Sequence, residues 1–242
     1  SIVATYLDDV PINYNAPDPD LRLVDVDRVE VARGPQGALY GAGSLGGVYR
    51  IVARRPNLSA MQAEVRATGA LTRSGTPSAA VEGYANYPVF EDRLGLRLSA
   101  YQEIQGGYLD DISQDRENVD RTERRGARLI VLYQPDDNWS VALTAAGQHL
   151  RSQDTHYTSP GLGLKRSVRI PEPHVNDITL LTTTLKRSWG WGELVASGGY
   201  IRHAYSSLYD ATATQDLYTS FARTSAYSER NRTRMLVQDV YL

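Results

Sequence analysis

The chain of 242 residues contains no cysteine, which excludes disulfide frameworks and thiolate metal sites. Its formal net charge is only −2, so it lacks the strongly basic surface that nucleic-acid binding requires. No apolar run approaches the roughly 18 to 20 residues of a membrane-spanning helix. Phe and Met occur only twice each, against 16 Tyr and 20 Gly. This composition favours strands and turns over a helical bundle.

Ser1 is not followed by the basic and apolar segments of a secretory leader. The chain starts within a strand-like run, residues 2–7, and ends within another, residues 236–242. We therefore expect both ends to be truncations of a longer protein.

Residues 1–57 form a turn-rich first region. Short β-like runs alternate there with turn chemistry such as Ala-Pro-Asp-Pro-Asp at 16–20. Polar and apolar residues alternate over 27–31, which predicts a half-buried strand. A glycine-dense stretch, 34–47, then leads to another short strand, 48–53.

From Met61 onward, the pattern predicts strands with a period of two and one apolar face each. The clearest examples are 81–87, 94–101 and 139–146. The positions of these strands that would not face lipid include four large polar side chains: Glu82, Asn86, Arg97 and Arg128. In 178–187, Thr and Leu occur on both parities, so the register of that strand stays open.

The connections between these strands alternate in length. We expect short ones at 90–92, 134–138 and 189–192, and long polar ones at 106–122, 151–177 and 206–233. An up-and-down outer-membrane barrel has this arrangement, with short periplasmic turns and long outer loops. The first hairpin, near 74–77, belongs to the outer side by this count, although it is short.

Aromatic residues flank the short turns, at Tyr87, Phe90, Tyr133, Trp139, Trp189 and Trp191. A ring of aromatics at one height is typical of a membrane interface. Aromatics also occur at strand ends in soluble β proteins, so burial of these side chains in a core would argue against a membrane barrel.

The most specific pattern is the run VEVARGPQGALYGAGSLGGVYRIV at 29–52. It resembles the end of the plug domain of TonB-dependent receptors, which has a V-E-V strand, R-G-P before L-Y-G, a G-G pair, a second strand and a basic exit to Pro. Residues 54–56, Arg-Arg-Pro, supply the exit, and residues 6–11 resemble the strand and turn that precede the motif. Arg50 stands where that family commonly has Asn, and Ala32 where it commonly has a bulkier aliphatic residue.

The resemblance implies a mostly β fold in two parts. Residues 1–57 are expected to be the C-terminal part of the plug domain. Residues 58–242 are expected to be the N-terminal strands of a large antiparallel transmembrane β-barrel. The complete barrel of the family has about 22 strands, of which about eight are expected here.

The resemblance also implies a function in the bacterial outer membrane: TonB-dependent uptake of a scarce, bulky nutrient. A ferric siderophore is the first expectation, and cobalamin or an oligosaccharide is the alternative. The implied partners are the TonB–ExbB–ExbD complex, through a segment that would precede Ser1, the nutrient ligand and outer-membrane lipid, but no nucleic acid. No cofactor, catalytic residue or resident metal is expected, so the chain is interpreted as a non-enzyme.

The candidate site residues belong to the plug motif, with a structural or energy-coupling role. They are Glu30, Arg33, Gly34, Pro35, Gln36, Gly37, Tyr40, Gly41, Gly46 and Gly47. Glycines around Pro35 favour a tight turn, and the later glycines permit positive φ and close backbone approach. Glu30 and Arg33 either pair with polar lumen residues or are ordinary solvated charges. The ligand contacts themselves are not identified by the sequence.

Three further patterns have simpler interpretations. Residues 41–46 match the dinucleotide fingerprint G-x-G-x-x-G, but a β-branched strand follows instead of the required helix. The acidic residues Asp110, Asp111, Asp115, Glu117 and Asp120 could bind Ca²⁺, yet a solvated outer loop is favoured. His149, His156, His174 and His203 are interpreted as loop surface residues rather than metal contacts.

Two competing classes remain. A passive outer-membrane channel or an adhesin barrel would need no plug, so the motif at 33–47 weighs against it. A soluble β-solenoid or sandwich enzyme would bury the short-turn aromatics in its core.

Overall fold

The computed structural model describes residues 3–12, 17–35, 37, 44–212 and 224–242. Within these ranges it contains fourteen strands in three sheets, and no helix there is long and apolar enough to cross a membrane. The strands are β1 (Val3–Leu7), β2 (Val10–Pro11), β3 (Val26–Arg33), β4 (Gly47–Ala53), β5 (Gln62–Ala70), β6 (Ser78–Phe90), β7 (Leu94–Gln105), β8 (Asp110–Asp111), β9 (Thr122–Asp136), β10 (Trp139–Ser152), β11 (Lys165–Arg166), β12 (His174–Trp189), β13 (Gly192–Asp210) and β14 (Ala226–Tyr241).

Eight antiparallel strands form a curved wall in the order β14-β13-β12-β10-β9-β7-β6-β5. Each wall strand pairs with its neighbours along the chain, which is the up-and-down topology of an outer-membrane barrel. The two-residue strands β8 and β11 lie in the outer loops and pair in parallel with each other. The expectation of about eight antiparallel barrel strands is confirmed.

The two faces of the wall differ as the period of two requires. Leu98, Leu143 and Leu181 point outward and are exposed by 49%, 44% and 57%, whereas Arg97 points inward and is buried. The register of β12, which the sequence left open, follows from burial: Ile178 and Leu180 face inward and Leu181 outward.

The connections follow the expected alternation, with one correction. The short turns are residues 91–93, 137–138 and 190–191, and the long loops are 106–121 and 153–173. The third long loop, expected at 206–233, does not include 206–210 or 226–233, because β13 and β14 continue to pair there, from Ser206↔Arg230 up to Asp210↔Ala226. Above a bilayer neither face of a strand needs to be apolar, so the ladder continues there without an alternating signal.

The aromatics of the short turns lie on the surface. Phe90, Tyr133 and Trp191 are exposed by 64%, 46% and 75%, and Trp189 stacks on Trp191 at a centroid distance of 5.5 Å. This exposure agrees with a ring at a membrane interface and contradicts the packed core that a soluble β protein would have.

The first region forms a small mixed sheet inside the wall, with the order β2-β1-β4-β3 and with β1 parallel to β4. Leu7, Val10, Ile12 and Ile51 of this sheet pack against Ile178, Leu180 and Ile201 of the wall in one buried cluster. Gly199 of β13 permits the close approach, since a Cβ there would lie 2.7 Å from Cγ1 of Val10. The plug sheet is therefore held against the lumen side of the wall.

Strand β3 forms where the sequence predicts it, but the expectation that it is half-buried is wrong. Val29 and Val31 are 37% and 63% exposed. The strand is the edge of the plug sheet and pairs only with β4 among the described strands, so neither of its faces is covered by the described residues.

Candidate ligand site above the plug

Residues 17–25 connect β2 to β3 as an extended stretch that we term the plug segment. Its last residue, Asp25, accepts two hydrogen bonds from Arg97 of β7, from Nε at 2.7 Å and from Nη2 at 2.6 Å. Both side chains are almost fully buried, at 3% and 2% exposed. A bidentate, buried pair of this kind is a strong polar link between plug and wall.

The backbone of the plug segment is bound by other inward side chains of the wall. Arg128 of β9 donates to the carbonyls of Val24 and Asp25 at 2.9 and 2.6 Å. Gln148 of β10 donates to the carbonyls of Pro19 and Asp20 and accepts from the amide of Arg22. These bonds satisfy backbone groups that have no partner in a sheet.

A chain of alternating charges runs across the same surface. Arg22 bridges Glu82 of β6 and Glu103 of β7, and Arg124 of β9 bridges Glu103 and Asp20. The Arg22 Nη2 to Glu82 Oε2 distance is 2.9 Å. Asp20 and Arg22 of the plug segment are joined through Arg124 and Glu103 of the wall, so any displacement of Asp20 reaches the wall through Arg124.

A cavity of about 380 Å³ opens directly above the plug segment. Its floor is formed by Asp18 and Asp20, and its walls come from the inner faces of the strands and from the loop 153–173. The aromatic and imidazole groups that line it are His156, Tyr157, His174, Tyr205 and Tyr209. The lining therefore combines plug, barrel and outer loop in one concave surface, which is the shape expected of a small-molecule site.

The polar groups around this cavity are organised by hydrogen bonds. His174 Nδ1 lies 2.9 Å from Ser207 Oγ, and its ring meets Tyr205 edge-on at 4.9 Å. Asn176 donates to the carbonyl of Asp18 at 2.9 Å and contacts His203 Nε2 at 2.6 Å. The carboxylates of the floor already have partners within the chain. Asp18 accepts from Thr5 Oγ1 at 3.2 Å and from the amide of Asp20 at 2.8 Å, and Asp20 pairs with Arg124.

The outer loops are fastened to each other by one buried arginine. Arg166 of β11 contacts Asp111 of the preceding loop at 3.3 Å, Asp154 at 3.0 Å and Glu172 at 2.8 Å. Its side chain is 2% exposed, and burial raises the pKa of Asp154. We term this group the loop clamp; in it one guanidinium forms ion pairs with three carboxylates.

The acidic loop and the histidines require corrections. Asp111 and Asp120 are buried rather than solvated, since Asp120 accepts the amides of Tyr108 and Leu109 and Asp111 faces Arg166. His203 is also buried, inside β13, and His174 begins β12. In the described part of the chain, no group of three His, Asp or Glu residues is arranged to hold a metal ion.

The plug motif lies away from this cavity, at the connection of β3 to β4. Gln36, Tyr40 and Gly41 fall outside the described residues. Arg33 ends β3, Gly34 follows it with φ of +84°, Pro35 and Gly37 come next, and Gly46 and Gly47 lead into β4. The amide of Gly34 donates to the carbonyl of Gly46 at 3.3 Å, so the structure brings these ends of the motif together.

Glu30 has its charged partners within the plug, not in the barrel lumen. It accepts from Arg28 Nε at 2.8 Å and from Arg50 Nη1 at 2.9 Å. The hydrogen bond from Arg28 lowers the pKa of Glu30, and the one from Arg50 adds to the effect. Arg50 also donates to the carbonyl of Asp8, and it thereby joins β4 to both the edge strand and the β1–β2 turn.

Gly47 is the motif residue for which the backbone tolerates only glycine. Its φ is +139°, and a Cβ would lie 2.3 Å from the carbonyl oxygen of Ala32. We expect Gly47→Ala to destabilise the protein by at least about 2 kcal/mol through backbone strain and overlap. Thermal unfolding measures this, with Gly69→Ala as control because nothing lies within 4 Å of that position. Equal melting temperatures for the two variants would contradict the expectation.

Comparison with known proteins agrees with this geometry. Residues 1–48 match the family model described as the TonB-dependent Receptor Plug Domain. A solved structure, the ferric yersiniabactin uptake receptor of Yersinia pestis, superimposes on 99% of the chain with a TM-score of 0.80 at 19% identity. The chain is thus similar to TonB-dependent receptors in its first 48 residues, and it has the fold of the solved receptor throughout.

Further relatives are also similar over most of the segment. The pesticin receptor of Yersinia enterocolitica is 24% identical over 195 residues, which cover 73% of this chain and 26% of that protein. The siderophore receptor PirA of Acinetobacter baumannii covers 99% of this chain and 37% of its own, with a TM-score of 0.65 and 17% identity. The segment thus spans about a quarter of the length of the curated relatives that it matches.

Sequence reasoning found only half of the plug–wall interface in this receptor segment. It placed Glu82, Asn86, Arg97 and Arg128 on the inner face, but it treated the plug segment that they bind as an ordinary turn. The signal that it missed is complementary charge. The plug segment has carboxylates at 18, 20 and 25, and the inward-facing positions of β7 and β9 carry arginines.

Proposed function

We propose that this receptor takes up a ferric siderophore across the outer membrane in a TonB-dependent reaction. The observation that carries the proposal is the cavity above the plug segment, which has plug carboxylates as its floor and outer-loop residues as its walls. A ligand in this position contacts the element that must move for transport. Cobalamin and an oligosaccharide remain the alternative nutrients, since the aromatic and polar lining of the cavity suits them as well.

The contacts below the cavity support a transport role because they are polar. Arginine–carboxylate pairs and amide hydrogen bonds hold the plug segment, and such bonds exchange with water when the plug shifts. We propose that ligand binding at Asp18 and Asp20 is transmitted along the chain Asp20–Arg124–Glu103–Arg22. The energy for release would come from a TonB–ExbB–ExbD complex that acts on the plug.

The division of labour follows the two sheets. We propose residues 1–57 as plug and residues 58–242 as barrel, with outer-membrane lipid against the outward face. Asn86 supports this boundary, because it binds the backbone of Asn57 and Ala60 on the path between the sheets. We propose no bond chemistry, and the plug motif residues Glu30, Arg33, Gly34, Pro35, Gln36, Gly37, Tyr40, Gly41, Gly46 and Gly47 serve a structural or energy-coupling role.

A passive channel or an adhesin barrel is the competing function. The plug packs on the wall through a buried apolar cluster as well as through ion pairs, which would obstruct a passive pore. A direct measurement of uptake distinguishes active transport from a passive channel or an adhesin. Cells that lack the gene are compared with cells that carry it for uptake of labelled ferric siderophore, cobalamin and glycan, with and without the proton-motive force.

The site itself is tested by one matched pair of variants. We expect Asp18→Ala, on the floor of the cavity, to weaken ligand binding by about tenfold, which corresponds to one lost polar contact of about 1.4 kcal/mol. Asp137→Ala removes a carboxylate from an exposed short turn and should leave binding unchanged. Energy-independent uptake, or equal affinity of the two variants, would contradict the proposal.

A further inference from the structure

The outward face of the wall has an apolar band that ends at a level rich in arginine. Leu98, Leu129, Leu181, Tyr200 and Leu236 form the upper part of the band, all of them exposed. Six arginines lie on the same outward parity at the levels above it, on β9, β10, β13 and β14. They are Arg125, Arg151, Arg202, Arg230, Arg232 and Arg234, which we term the arginine belt.

The upper edge of the belt lies at the height of a lipid headgroup. On β9, Arg125 is eight residues above Tyr133, which belongs to the aromatic ring at the short-turn end. Eight residues span about 27 Å along a strand, or about 20 Å along the membrane normal at a tilt of about 40°. The apolar band of outer-membrane barrels is about 25 Å tall. Arg151 and Arg230, two residues further along than Arg125, lie at its outer edge. The other four arginines lie below that edge, from where their long side chains extend toward the interface.

The belt has an excess of positive charge. All six arginines are exposed, and none has an ion pair within 4.0 Å to a carboxylate among the described residues. The carboxylates at the same levels are Glu123, which binds Arg121 at 2.9 Å, and Asp177, which binds His149 Nδ1 at 2.5 Å. Exposed like charges at such density repel each other unless an external anion neutralises them.

A groove in the wall lies within the belt. The rim of the groove is polar and consists of Arg125, His149, Asp177 and Arg202. Ala127, Gly147 and Ala204 form part of its floor, and its volume is about 630 Å³. The small residues at these positions lower the surface locally, because neighbouring outward positions carry Leu and Tyr. The groove therefore adjoins guanidinium groups above and the apolar band below.

We propose that the arginine belt and this groove bind a phosphate-bearing lipid of the outer leaflet. Guanidinium groups bind phosphate oxygens in a bidentate manner, and the acyl chains of the same molecule lie along the groove and the apolar band. Charge complementarity selects an anionic lipid over a zwitterionic one, since a cationic headgroup would meet the unpaired arginines. This site is separate from the cavity above the plug.

The complete receptor provides the test. It is purified in neutral detergent, mixed with dioleoyl phosphatidic acid, dioleoyl phosphatidylcholine or inorganic phosphate, and analysed by native mass spectrometry. We expect retention of phosphatidic acid at least tenfold above that of phosphatidylcholine. Arg125→Gln/Arg202→Gln/Arg232→Gln should lose that preference. The matched Lys triple keeps the charge and should retain part of it. Thermal unfolding verifies that each variant is folded.

Equal retention of the two lipids by the wild type would overturn the proposal, as would an unchanged preference in the folded Gln triple. Displacement of the lipid by inorganic phosphate alone would identify a simple anion site and would also overturn it. Ligand affinity at the plug cavity is measured in parallel and should stay unchanged in both triples, because none of these residues lines that cavity.

Discussion

Replacement of Arg97 by alanine is expected to free the plug segment from the wall and to destabilise the receptor by about 3–5 kcal/mol. The change leaves the Asp25 carboxylate buried at 3% exposure without the two hydrogen bonds that it now accepts. The nearest remaining guanidinium, that of Arg128, lies 4.0 Å away and is committed to backbone carbonyls. Thermal unfolding and protease sensitivity of the plug in detergent measure the loss.

Two controls separate this effect from a general cost of removing arginine. Arg93→Ala removes an exposed side chain in the 91–93 turn and should change stability by less than about 0.5 kcal/mol. The double variant Asp25→Ala/Arg97→Ala removes both charges, and we expect it to be more stable than Arg97→Ala alone, because the unpaired carboxylate is the main cost. A single variant as stable as Arg93→Ala would refute the role assigned to this pair.

Arg97 also shows what the sequence could predict. The alternation of Leu94, Leu96 and Leu98 with Gly95, Arg97 and Ser99 is enough to place Arg97 on the inner face of a strand, as confirmed. The same rule placed Glu82, Asn86 and Arg128 correctly. Membrane strands obey this parity closely, because a charge on the lipid face costs several kcal/mol near the bilayer centre.

The inner partners could not be predicted by the same rule. Ile178 and Leu180 break the pattern of polar inward residues because the apolar cluster of the plug, around Val10 and Ile51, packs on them. The alternation of residues along a strand distinguishes lipid-facing from lumen-facing positions. Where a second domain fills the lumen, however, the lumen-facing residues are apolar wherever that domain is apolar. The contact depends on residues more than a hundred positions apart, and no local period records it.

The structure of the outer loops could not be predicted from the sequence either. Their polar composition is the same for a solvated loop and for a loop held by buried charges, so Asp111, Asp120 and Arg166 could not be recognised as structural. The pairing of β8 with β11 joins segments about fifty residues apart and is only two residues long. The charge cluster, rather than backbone pairing, therefore keeps these loops in place above the cavity.

Removal of that central guanidinium, by Arg166→Ala, is expected to detach the two loops from each other. Asp111, Asp154 and Glu172 would then face one another with only Arg116 nearby, 3.5 Å from Asp154, and repulsion among buried carboxylates costs several kcal/mol. We expect faster proteolysis within 153–173 and at least tenfold weaker ligand binding, since this loop forms part of the cavity wall. Lys165→Ala, which changes the exposed neighbouring cation, should affect neither property.

The pH dependence of this variant identifies electrostatic repulsion as the cause. Burial raises the pKa of Asp154 above its ordinary value of 3.8. A carboxyl whose pKa is raised in the folded protein stabilises the fold while it is protonated. This contribution is complete at a pH below the ordinary pKa, and it is lost as the pH rises through the raised pKa. Lowering the pH of Arg166→Ala toward about 4 should therefore slow proteolysis of the loop, because protonation removes the repulsion. If proteolysis is instead independent of pH, the loops are separated by lost packing around the arginine, and the clamp is not electrostatic.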